Sequence, residues 1–201
     1  MDDGTIKYTS VRRAGAIPRT PQLDALNQAR TALFDLGLIG AYPSGIGYGN
    51  LSIRTCANQF IITASATGGE RILGVDQYCL VESFSPQENC VASLGPLPAS
   101  SESMTHGAIY STNSSVHCVI HAHSRSLFGR LLTGNHLMTA GDIPYGTPAM
   151  ARAVAELVTR QPSLPILFAM AGHDEGVVAY GADVGSVCRI LVDAFHGTTA
   201  I

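Results

Sequence analysis

The sequence predicts a mixed α/β fold, a largely antiparallel sheet with helices packed on it. Three observations predict it. Apolar residues recur at helical spacing in stretches opened by capping residues or prolines. Between these stretches lie short apolar and β-branched runs of strand length. Runs joined by hairpin turns favour antiparallel pairing. With 201 residues the chain is the size of one domain that buries a real core.

Taken in order, residues 1–19 are polar, with Arg12, Arg13 and Arg19, and read as an arm before a single domain over 20–201. Thr20 and Pro21 start a helix as N-cap and first helical residue, and Leu23, Leu26, Ala29, Leu33 and Leu36 give it an apolar stripe up to Gly37. A glycine-rich loop follows from Tyr42 to Asn50. It lacks dinucleotide-binding spacing and lies between a helix and a strand, the wrong order for that site. It suits either close backbone approach to an anion or a plain tight connection. Leu51–Arg54 and Gln59–Thr63 read as a hairpin with Asn58 in its turn. A small-residue loop spans Ala64–Gly69, and Tyr78–Glu82 is a further strand. Residues 83–99, with Pro86, Pro96 and Pro98, read as loop with room for a short strand.

Ser100, Ser101 and Glu102 open a helix through about Ser111. Either serine can cap, and a glutamate in the first turn suits the helix dipole, so capping alone explains the triplet. Val116–His123 reads as a strand and Ser126–Leu132 as a short helix. Thr147 and Pro148 start another helix. Ile166–Met170 and Val177–Tyr180 read as strands around a sharp turn, Gly172–Gly176. Asp183 caps a last helix that Gly197 stops.

The chemistry centres on His121-Ala122-His123. Residues two apart on a strand share a face, so two imidazoles project side by side while Ala122 faces the core. That is half of a zinc or similar divalent site, which needs three or four ligands. No HxHxDH or HExxH pattern accompanies it. The net charge of −3, without a basic run, argues against nucleic acid. No apolar run reaches about 18 residues, so no membrane span is expected. The N-terminal residues have no apolar signal core, and the five cysteines form no CxxC pair, so a cytoplasmic protein with reduced thiols is expected. With only 13% charged residues, the surface suits an oligomer.

Five segments in order carry a family resemblance: Gly49–Arg54, the Thr67-Gly68-Gly69 loop, Pro98 to Glu102, His121-x-His123, and Gly172-His173 before a strand. Together they resemble the class II aldolase/adducin family, which includes zinc-dependent sugar-phosphate aldolases and 4-epimerases. The resemblance runs from about Leu23 to Phe195. It implies a three-layer α/β/α fold with a central, mainly antiparallel sheet. It implies Zn2+, or another divalent metal such as Mn2+, Fe2+ or Co2+, on His121, His123 and His173, with Glu102 as acid/base beside it. It further implies that Asn50, Thr67, Gly68, Ser100 and Ser101 line a phosphate or carboxylate pocket, in a homotetramer with sites between subunits. The chemistry implied is aldolase cleavage of a small hydroxy-carbonyl substrate through an enediolate. Dehydration, decarboxylation or 4-epimerisation at the same site is the alternative, as is a non-catalytic, adducin-like interaction module.

Departures from the family pattern bear on the details. The turn carrying His173 reads Gly-His-Asp-Glu-Gly, which adds Asp174 and Glu175 as carboxylates near the metal. The Thr63–Gly69 loop is long for a phosphate loop, and either Ser65 or Thr67 takes its role. The sugar-phosphate aldolases use a tyrosine late in the chain as proton donor, and this sequence has no tyrosine after Tyr180. Tyr145 is the substitute candidate, with packing as its other reading. His106, one turn after Glu102, reads as a further acid or substrate contact, or as a solvated helix residue.

Overall fold

Phe60 and Ile62 point to one side of their strand and Ile61 to the other, and the same alternation along each central strand builds two cores. The computed structural model describes residues 5–161 and 163–198. Its main sheet has strands β1 (Thr9–Arg13), β4 (Asn50–Cys56), β5 (Gln59–Thr63), β6 (Tyr78–Ser85), β7 (Cys90–Leu94), β8 (Cys118–His123), β9 (Ile166–Ala169) and β10 (Gly176–Gly181). Their order is β1-β7-β6-β5-β4-β8-β10-β9, antiparallel except for the parallel β1–β7 pair. A small ribbon pairs β2 (Gly40–Ala41) with β3 (Gly47–Tyr48).

Helices cover both faces. On one side lie α2 (Ser103–Thr112) and α4 (Pro148–Thr159), whose Met104, Ile109, Met150 and Val154 meet Phe60, Ile62, Val119 and Val178. On the other lie α1 (Pro21–Asp35), α3 (Arg125–Thr133) and α5 (Val184–His196), whose Leu26, Leu33, Leu127 and Leu191 meet Ile53, Ile61, Ile120 and Ala179. This is a three-layer α/β/α fold with a mainly antiparallel centre. Covering both faces explains why the central strands read as nearly continuous apolar runs. Each fully buried Ile, Leu or Phe contributes roughly 2–3 kcal/mol.

Local sequence fixes several ends. The Oγ of Ser124 accepts from Leu127 N, Thr147 Oγ1 from Met150 N and Asp183 Oδ1 from Ser186 N, while Gly197 closes α5 in the left-handed region. Thr20 holds the N-cap position of α1 without a side-chain bond. The 83–99 stretch contains β7.

The N-terminal segment differs from an arm. Thr9–Arg13 add an edge strand, and Tyr8 and Ile17 are buried. Tyr8 Oη is within donating distance of Ala99 O (3.0 Å) and Ser100 O (2.9 Å), so this segment braces the turn before α2. The strand itself exposes every residue, and backbone pairing holds it. Residues 1–4 of the expected arm lie outside the described residues.

Candidate metal centre

Strand β8 is buried along its whole length. His121 and His123 project from it towards the α2 side, and Ala122 packs in the opposite core. The third histidine comes from the turn between β9 and β10, closed by His173 N to Met170 O (2.8 Å) and Gly176 N to His173 O (2.9 Å). Gly172 is required there, because a Cβ would collide with the Ile143 carbonyl. The three rings meet with centroids 4.8–4.9 Å apart, and one potential ligand atom from each lies within 4.8 Å of the others. All three side chains are buried.

The donor set fits a divalent ion. His121 Nδ1 lies 3.4 Å from the Asn50 amide, whose Oδ1 is otherwise without a partner. With that oxygen turned to the ring, Nδ1–H donates to it, and Nε2, buried without a hydrogen-bond partner, keeps the lone pair. Burial, and then repulsion from His173, His123 and His106, hold the His121 pKa well below its ordinary value. The ring is therefore neutral and keeps a lone pair for a metal. His123 Nδ1 lies 2.9 Å from Tyr42 Oη, so Nε2 is the nitrogen that would take an ion.

Glu102 stands beside this cluster at the start of α2, its side chain 2% exposed. Oε1 lies 4.0 Å from His173 Nδ1, and Oε2 accepts from Thr105 Oγ1 at 2.7 Å. The expected serine cap takes another form. Glu102 itself occupies the N-cap position without capping, and Ser100 Oγ accepts from Glu102 N at 3.3 Å. The triplet thus aims a carboxylate at the histidines.

A cavity of about 330 Å³ opens over the cluster. Glu102, His121, His123, Tyr145 and His173 line it. Asn50, Thr67, Gly68, Ser100 and Ser101 line it as well, so the geometry brings these sequence candidates together. Ser65 also lines it; the Thr67 hydroxyl donates to Ala64 O at 2.7 Å within its own loop. Gly68 is there for close approach, since a Cβ would strike Gly40 O and the Gly47 backbone. The glycine-rich loop therefore packs backbone to backbone against the 64–69 loop. Tyr145 stacks on His173, with centroids 4.2 Å and planes 20° apart, and Lys7 Nζ sits 3.7 Å from the centroid of the Tyr145 ring.

Two candidates stand apart. His106 does not line the cavity and is not solvated. It is fully buried, its Nδ1 is 2.7 Å from Ser52 Oγ, and burial lowers its pKa to about 3. Asp174 is exposed and lines a neighbouring cavity.

Three residues that the sequence does not flag support the site. Tyr42 bonds His123, and the Tyr48 ring lies 5.3 Å from the His123 ring. Arg30, buried in α1, donates to Thr67 O (2.8 Å), Gly68 O (3.3 Å) and Arg71 O (3.1 Å), and so holds the cavity loop. An arginine on the apolar side of an amphipathic helix, three residues before Leu33, is the one available signal for it.

Among the described residues no helix is long and apolar enough to cross a membrane. Residues 44–193 match the family described as Class II Aldolase and Adducin N-terminal domain. No curated protein matches the chain. The chain superposes on l-fuculose-1-phosphate aldolase from Thermus thermophilus with a TM-score of 0.60 and 20% identity, over 91% of this chain and 100% of that one. A structure described as L-fuculose 1-phosphate aldolase gives a TM-score of 0.65 and 17% identity, over 90% and 84%. YgbL from Klebsiella pneumoniae, described as a candidate aldolase/epimerase/decarboxylase, gives 0.61 and 21%, over 88% and 86%. At these identities the likeness establishes the fold.

Proposed function

Because the chain belongs to the class II aldolase and adducin family, we propose that it is a divalent-metal-dependent carbon–carbon lyase. Its substrate is a small hydroxy-carbonyl compound bearing a phosphate or carboxylate. The observation that carries this reading is the buried Glu102 carboxylate 4.0 Å from His173, at the edge of a three-histidine cluster that opens into a cavity.

His121, His123 and His173 would hold the ion, Zn2+ or another divalent metal. When bound, it supplies Lewis-acid polarisation of a substrate carbonyl. Glu102 takes the proton of the reacting hydroxyl as the carbon–carbon bond breaks, and returns a proton to the carbon left behind. Its bond from Thr105 fixes one oxygen, and the other lies on the side of His173. Asn50, Ser100, Ser101 and the Thr67-Gly68 backbone take the anionic end. Tyr145, held in place by its stack on His173, is assigned as the second acid/base group. It hydrogen-bonds the oxygen of the reacting hydroxyl and donates to the aldehyde oxygen only in the reverse, bond-forming direction, with no net proton transfer during cleavage. The assembly is assigned as a homotetramer with sites between subunits, in the cytoplasm, consistent with free thiols at Cys56, Cys79, Cys90, Cys118 and Cys188.

Metal-loaded protein incubated with sugar phosphates and hydroxy-keto acids should release an aldehyde from at least one class. No aldehyde from any of them would count against the lyase. The likeness to YgbL favours a second reading, other enolate chemistry at the same residues. Product mass separates the two: cleavage, against loss of water or carbon dioxide, or no mass change.

A further inference from the structure

The turn that delivers His173 carries two carboxylates, and they go different ways. Asp174 faces outwards. Glu175 turns back towards β8. Its backbone lies in the left-handed region (φ 65°), which a residue with a side chain adopts infrequently. Its carbonyl accepts from Ser124 N at 2.9 Å, which ties the turn to the residue after His123. Its carboxylate lies between two donors. Arg125 Nε reaches Oε1 at 2.9 Å, and Tyr42 Oη reaches Oε2 at 3.4 Å. The same Tyr42 hydroxyl is 2.9 Å from His123 Nδ1.

A phenol has one proton to give. An imidazole that binds metal through Nε2 carries its proton on Nδ1 and donates it. Tyr42 therefore accepts from His123 and donates to Glu175, and Arg125 balances the carboxylate. We infer that Tyr42 is a positioning residue for the metal centre, because the chain His123–Tyr42–Glu175–Arg125 fixes the tautomer and orientation of His123 and strengthens its hold on the ion. The inference rests on His123 being a metal ligand, as proposed above.

The test is Co2+ titration of the full chain, comparing wild type with Tyr42→Phe, Glu175→Gln, the double variant and His121→Ala. Tyr42→Phe keeps the ring that packs on Tyr48 at 4.6 Å between centroids, so the metal-free variant should unfold at the wild-type denaturant midpoint. Its affinity for Co2+ should fall about 10-fold to 100-fold. Glu175→Gln should weaken binding in the same direction, and the double variant no further than Tyr42→Phe, since both act through one chain. Wild-type affinity in Tyr42→Phe, with binding still lost in His121→Ala, would overturn the positioning role and leave the metal centre standing. Fully additive losses would also overturn it. No Co2+ bound by wild type would overturn the metal centre and the inference with it.

Discussion

Glu102 and His173 face each other across 4.0 Å, one from the start of α2 and the other from the turn between β9 and β10. A carboxylate this close to a buried imidazole, with its second oxygen tied to Thr105, suits proton transfer more than capping. Glu102→Gln keeps the shape and still accepts from Thr105. Metal binding and folding should persist, while turnover of whichever substrate is cleaved falls about 10²-fold to 10⁴-fold. Near-wild-type turnover would move the acid/base role elsewhere.

Gly172→Ala should damage the site through the backbone. The added methyl group meets the Ile143 carbonyl, so the turn that carries His173 must shift. A loss of about 2 kcal/mol or more in urea unfolding is expected, with reduced metal content per chain.

Arg30→Met should unfasten the cavity loop. It leaves the carbonyls of Thr67, Gly68 and Arg71 without the guanidinium that now binds them. Denaturant unfolding should show a loss of about 2–4 kcal/mol. A stability equal to wild type would show that water replaces the guanidinium at no cost.

His106 makes stability depend on pH. Burial holds its folded pKa at about 3, below its ordinary value. Between the two values the unfolded chain binds a proton that the folded chain does not. Stability is therefore full above about pH 6.5 and is lost as pH falls towards 3, at roughly 1.4 kcal/mol per unit. Between pH 6.5 and 5 this group should remove about 2 kcal/mol from the metal-free protein. Urea titrations of wild type and His106→Gln at both pH values should show a shallower loss in the variant.

Much of the fold is legible in the sequence because local signals agree. Thr147-Pro148 and Asp183 start α4 and α5 as read, and Gly197 ends the last helix. The paired histidines are legible because a strand has period two. What stays hidden depends on contacts far apart in sequence. Tyr42 meets His123 across 81 positions, and Arg30 meets Thr67 across 37. β1 has no apolar alternation to betray it, since pairing with β7 needs only backbone. Ser100-Ser101-Glu102 fits a cap by its own sequence; the family resemblance marks Glu102 as the acid/base, and the fold turns its carboxylate towards the histidines.

Whether the three histidines hold an ion is decided by metal content per chain after gentle purification, measured for wild type and His121→Ala together. About one divalent ion is expected in wild type and is lost in the variant. A wild type that holds none, and takes up none when Zn2+, Mn2+, Fe2+ or Co2+ is supplied, would mean that His121, His123 and His173 do not form a metal centre.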